Sequence, residues 1–278
     1  MNAQQSWREA WRRHWPEYLI EGWALGMFML SAATFGVLLE SPSSCARVAI
    51  SDPAARRALA GLGMGLTAIG LIISPWGRRS GAHMNPAVTL GFSLLGKVHP
   101  PDAAGYIAAQ FAGGMLGVLA AAAVLGAAFT GAPVSYVLTL PGPQGAGVAF
   151  AAEALLAFAM LATILVLSGK PQLSRYTPYV AGFLVATFIT FEAPLSGMSI
   201  NPARSFASAA PAGIWAGLWI YLTAPTLGML TAAALFRWIR WDTGCAKLLH
   251  TDNVRCIHCG HKPPPAHPPR SGVGRGST

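Results

Sequence analysis

The chain alternates apolar blocks of about 20 residues, the length that crosses a ~30 Å hydrocarbon core as a helix, with short polar stretches that hold most of its charge. The blocks predict spans over Tyr18 to Leu39, Leu59 to Ser74, Gly105 to Phe129, Gly147 to Leu167, Pro178 to Phe191 and Trp215 to Phe236. Two shorter apolar runs, from Asn85 to near Gly96 and from Asn201 to near Ala210, are long enough to reach only halfway. The order span, span, half-helix, span therefore occurs twice. Because each half holds three full crossings, the second half must be inserted upside down relative to the first.

Composition agrees with this pattern. Charged residues make up 10% of the chain, against about 25% in soluble proteins, so the fold class is an all-α membrane protein. The net charge of +9 would raise nucleic acid as a partner, but the basic residues stand at the ends of apolar blocks, which is topology and excludes that class. Counting Lys and Arg places both termini in the cytoplasm, with Arg47, Arg56 and Arg57 outside, in the plasma (inner) membrane. No cleavable signal peptide is expected, since Met1 to Pro16 is charged and Trp-rich. Residues 1–17 read either as an interfacial segment (Trp7, Trp11, Trp15 among arginines) or as a disordered tail. The membrane unit covers 18–240, in repeats of about 18–130 and 147–240. Residues 241–278 form a Cys/His- and Pro-rich tail, and 130–146 form a long outer loop joining the halves.

Both half-helices begin with Asn-Pro-Ala: Asn85, Pro86 and Ala87, then Asn201, Pro202 and Ala203. Asn is a favoured N-cap and Pro suits the first helical position. A capping Asn spends its carbonyl oxygen on first-turn N–H groups, leaving its NH2 as a donor aimed outward, so two such donors could face one passing oxygen. Irregular backbone at membrane depth must line a pore or be buried in protein. The carbonyls of Gly81, Ala82 and His83 on one side, and of Gly197, Met198 and Ser199 on the other, are therefore expected to line a pore. His83 itself reads as a packed loop residue rather than a ligand. Glu21 and Glu153 stand at the equivalent place in each half, and a carboxylate there is expected to face inward and hold the loop before its half-helix.

These two loops, their order and the flanking spans resemble the aquaporin and aquaglyceroporin (major intrinsic protein) family over roughly 17–240. The resemblance implies an aquaporin-like right-handed bundle of six transmembrane helices plus two half-helices, with an inverted repeat. It also implies a passive channel for water and small uncharged solutes that excludes ions and protons, a homotetramer in the lipid bilayer, no cofactor and no enzymatic activity. By family correspondence the outer constriction falls on Arg204, Met198, Ile189 and either Met64 or Gly65. Ile189, where strongly water-selective members carry His, implies relaxed selectivity that admits glycerol-like solutes. A structural or junctional membrane protein with the same fold and an occluded pore is the competing class. No nucleophile paired with a His in a span supports an enzyme.

The tail offers a separate chemistry. Cys256 and Cys259 have the two-residue gap of a zinc half-site, which Cys245 or a histidine such as His261 could complete. Reduced thiols in a mobile tail are the plainer alternative, so no metal is assigned from the sequence. Lys262 to Thr278, with its proline runs, has no apolar content to fold on.

Overall fold

Every apolar block folds as a helix in the computed structural model, which describes residues 7–249 and 254–261. The principal helices are α1 (Trp7–Glu40), α2 (Pro53–Ile73), α3 (Pro86–Leu94), α4 (Pro100–Leu125), α5 (Ala146–Ser168), α6 (Thr177–Ser196), α7 (Pro202–Ala212) and α8 (Leu218–Trp238). Among the described residues there is no strand, and 6 helices are long and apolar enough to cross a membrane. The half-helices α3 and α7 have 9 and 11 residues.

Local capping sets where the helices start. The Asp52 side chain accepts from the N–H groups of Ala54 and Ala55, and Pro53 takes the first helical position. The helix α2 therefore begins at Pro53 rather than at Leu59, where the apolar run starts. In α1 the difference is larger, because from Trp7 onward the expected interfacial segment is helical and continuous with the span. Contacts with the start of α4 explain this. The Tyr18 hydroxyl donates to Asp102 Oδ1 at 2.6 Å, His14 Nδ1 lies 2.7 Å from the same oxygen, and Trp11 Nε1 donates to the Pro101 carbonyl at 3.2 Å. Trp7, Trp11 and Trp15 stay exposed, as indoles at a headgroup layer do. Residues 1–6 lie outside the described residues.

Helices in lipid gain nothing from hiding apolar surface from one another, so small residues let their backbones close up. Along the contact of α1 with α4, a Cβ on Gly113 would stand 2.0 Å from the Gly22 carbonyl oxygen. In the equivalent contact of α5 with α8, one on Gly228 would stand 2.1 Å from that of Ala154. The helices α2 and α6 form the third close pair. Each half-helix crosses into the other half, α3 packing on α8 and α7 on α4. The two therefore meet start to start.

Two segments outside the helices also pack. The loop at 130–146 folds over the end of the bundle nearest the α7 loop: Val134 is buried, and Thr139 Oγ1 lies 2.7 Å from Ser205 Oγ. Residues beyond α8 turn back over the end of the bundle at which α1 starts and α8 stops. There Trp241 Nε1 donates to the Leu165 carbonyl at 3.2 Å, and Thr243, Ala246, Lys247 and Leu248 are buried.

Candidate functional site

The loops entering α3 and α7 have the same backbone, position for position. Gly81, Ala82 and Met84 take φ of 109°, 52° and 50°, and Gly197, Met198 and Ile200 take 82°, 48° and 46°. For residues with a Cβ this left-handed region costs roughly 1–3 kcal/mol, so something must hold it. Alternating handedness turns successive N–H groups to one side, forming a nest for an anion. A buried carboxylate fills each nest. Glu21 Oε1 accepts from Ser80 Oγ at 2.7 Å and from the His83 N–H at 3.0 Å, while Oε2 accepts from the Met84 N–H at 2.7 Å and Gln110 Nε2 at 2.8 Å. Glu153 Oε1 accepts from Ser196 Oγ at 2.8 Å and the Ser199 N–H at 2.7 Å, and its Oε2 from the Ile200 N–H at 2.6 Å.

Two tyrosines complete the brackets. The hydroxyl of Tyr106 donates to the Ser80 carbonyl at 2.6 Å and that of Tyr221 to the Ser196 carbonyl at 2.5 Å. Sequence reasoning passes over both, although each stands at the same distance ahead of a packing glycine, Gly113 or Gly228.

The asparagines differ from expectation. Asn85 Oδ1 caps α3 through the Ala87 N–H, and Asn201 Oδ1 caps α7 through the N–H groups of Ala203 and Arg204. Their NH2 groups are not wholly free, however. Asn85 Nδ2 donates to the Ile200 carbonyl at 2.7 Å, and Asn201 Nδ2 donates to the Met84 carbonyl at 2.7 Å. Each asparagine thus spends one hydrogen stapling its half-helix to the opposite loop, and one hydrogen remains. Facing helix starts bring each NH2 within reach of a carbonyl that local sequence cannot supply.

Asn85 and Asn201 lie on the wall of a cavity of about 240 Å³. Its end toward the 130–146 loop is walled by Phe35, Val137, Ile189, Met198 and Arg204, and its end toward the returning tail by Ile72, Ile164 and Leu248. Arg204 is half-buried, and its Nη1, shielded from solvent, has no acceptor among the described protein groups. Of the two candidates on the second span, Met64 lines the cavity with Ala60 and Ala68, one helical turn apart. Gly65 does not, because the helix phase turns it onto α6, where a Cβ would stand 2.5 Å from the Gly182 carbonyl oxygen. Ala82, His83, Gly197, Met198 and Ser199 line the cavity; Gly81 does not, because it lies beneath the returning tail, with its Cβ position 3.2 Å from Lys247 Cα.

His83 is packed, as expected, but by unexpected neighbours. Its Nε2 lies 2.9 Å from the Ala246 carbonyl and Nδ1 lies 3.0 Å from Thr89 Oγ1. A carbonyl can only accept, so Nε2 carries the proton. The ring stacks on Phe92 and on His258, with centroids 5.2 Å and 6.1 Å away. His258 in turn places Nε2 3.3 Å from the Tyr106 hydroxyl, and burial pushes its pKa down to about 3. Beside it the thiols of Cys245, Cys256 and Cys259 gather, whereas His261 is not a member of that group. It follows Cys259 across the turn at Gly260, and its own carbonyl bonds back to the Cys256 N–H. His250 and Lys262 to Thr278 lie outside the described residues.

Residues 12–236 match the family model described as major intrinsic protein. The chain is similar to a probable aquaporin NIP-type of Nicotiana alata, 36% identical over 166 residues, which covers 58% of this chain and 58% of that protein. It is also similar to aquaporin TIP4-4 of Zea mays, 35% identical over 175 residues, covering 59% and 68%. The chain thus spans less than two thirds of the length of the first of these relatives. The X-ray structure of the aquaglyceroporin from Plasmodium falciparum superposes with a TM-score of 0.67 at 20% identity, covering 80% of this chain and 94% of that one, a likeness of fold.

Proposed function

The chain belongs to the major intrinsic protein family, a family of multi-pass membrane channels, and on that premise we propose that it conducts water and small uncharged solutes while excluding ions and protons. The observation that carries the reading is the pair of asparagines on one cavity wall, each tied by one hydrogen to the opposite loop. The remaining Nδ2 hydrogens are donors for a solute oxygen at the middle of the path.

A water accepting from both asparagines turns its own hydrogens outward, toward the loop carbonyls on either side. A proton hopping along the file needs one continuous orientation, and this arrangement reverses it at the centre. The starts of α3 and α7 each add about half a positive charge there, which disfavours cations. Arg204, with its free Nη1, adds a full cation and a donor at the outer end. Opposite it stand Met64, Ile189 and Met198, which have no donor to strip a carbon-bearing solute of its advantage. The reading therefore extends to glycerol-like molecules. We further propose that 18–240 is the channel unit, set in the plasma membrane, with both termini cytoplasmic by the Lys and Arg count. Assembly as a homotetramer is open to native mass measurement in mild detergent.

Stopped-flow light scattering on proteoliposomes tests the channel reading with water, glycerol and urea gradients. Wild type should pass all three above the lipid baseline, and Ile189→His should pass water with glycerol flow reduced several-fold. Permeability equal to empty vesicles would overturn the reading.

A further inference from the structure

Three thiols that the channel leaves unused meet beneath the inner end of the cavity. The sulfurs of Cys245, Cys256 and Cys259 all lie within 4.8 Å of one another, with Cys245 and Cys256 3.6 Å apart. Thiolates around one tetrahedral ion, each at about 2.3 Å, stand ~3.8 Å from each other, so the group has close to a ligand set's spacing. The backbone fits the same role. Between Cys256 and His261 the chain closes a tight turn, with the Gly260 N–H donating to the Cys256 carbonyl at 3.0 Å and Gly260 at φ 73°. The Lys247 N–H donates to the Cys245 sulfur at 3.4 Å, a bond that steadies a thiolate.

We propose that Cys245, Cys256 and Cys259 bind one zinc-class cation, and that the ion clasps the tail across the inner mouth as a cap, a second clause that rests on the channel reading above. Binding exchanges three S–H protons, released to solvent, for three metal–sulfur bonds, three of the four positions of a tetrahedral site. No electron moves. The clasp joins two stretches that form no helix. One carries Ala246, whose carbonyl accepts from His83, and Leu248, which walls the cavity. The other carries His258, stacked beside His83 and bonded to Tyr106. Ordering such segments costs conformational entropy, and a metal cross-link between them offsets that cost.

The test uses the full-length protein, reduced, loaded with zinc and desalted. Elemental analysis should find one zinc per chain, falling at least tenfold in Cys256→Ser/Cys259→Ser. Cobalt in its place should show sulfur-to-cobalt charge transfer and tetrahedral visible bands. Zinc retained by the double variant, or a thiol titration showing Cys245 and Cys256 joined as a disulfide, would overturn the site. In proteoliposomes a membrane-permeant zinc chelator should raise the water permeability of the wild type several-fold, and the double variant should start high and ignore the chelator. Equal conduction by both, with and without chelator, would overturn the cap. If neither conducts above the lipid baseline, the channel reading fails, while the zinc count still judges the site.

Discussion

The loop entering α3 and the loop entering α7 share a backbone but not their side chains. In both, a glutamate fills a nest of N–H groups, a tyrosine holds a serine carbonyl, and an asparagine crosses to the other side. Within that frame His83 pairs with Thr89 where Ser199 pairs with Ser205. Val88 follows the first motif where Arg204 follows the second. The inner pair is covered by Ala246 of the tail and the outer pair by Thr139 of the joining loop. Backbone geometry, which needs only a carboxylate and a cap, is common to both halves. Charge and cover, which distinguish one mouth from the other, are set by single side chains.

The largest effect should come from removing the shared frame. Each buried donor left unsatisfied costs about 1–3 kcal/mol, and Glu153→Ala strands three, from Ser196, Ser199 and Ile200. Glu21→Ala strands those of Ser80, His83, Met84 and Gln110. Both should fail to give monodisperse protein in detergent, and a half that tolerates the loss would show that its loop is held otherwise. Next comes the crossing. Asn85→Leu and Asn201→Leu each break one staple, worth about 1 kcal/mol net, and also remove a central donor, so water permeability should fall by about tenfold in either. Unequal falls in stopped-flow swelling would break the equivalence of the two.

Charge should matter less for water and more for ions. Arg204→Val gives both loops the same side chain at this place. Water flow should persist while proton and cation leak rises several-fold, read with a trapped pH dye. Unchanged exclusion would mean that the helix starts suffice. The smallest effect is confined to the inner half. Gln110 donates to Glu21 and to Thr89 Oγ1, and the corresponding place in α8 is Pro225, which has no such donor. Gln110→Leu should therefore cost about 1–2 kcal/mol of stability, seen as a lowered melting temperature with water flow intact.

Much of this was open to sequence reasoning because the signals are local. Apolar length marks the spans, and Asn-Pro marks where α3 and α7 begin. The equivalent places of Glu21 and Glu153 follow from aligning one half on the other. Local signals stop short of helix phase, which depends on what each face meets. That is why Met64 and Gly65 stay unresolved until α6 packs against Gly65. The second hydrogen-bonding role of Asn85 and Asn201 is hidden for the same reason, since its acceptors come from the other half of the chain.

The sequence by itself therefore determined the inverted six-span plan, the two capped half-helices and the residues at their starts, because hydropathy and capping act over a few neighbours. Only the tertiary structure decided that the asparagines staple opposite loops, that Met64 and not Gly65 faces the path, and that the tail's thiols converge under His83. Each of these joins groups far apart along the chain, and their meeting depends on backbone approach between helices, which no short stretch of sequence encodes.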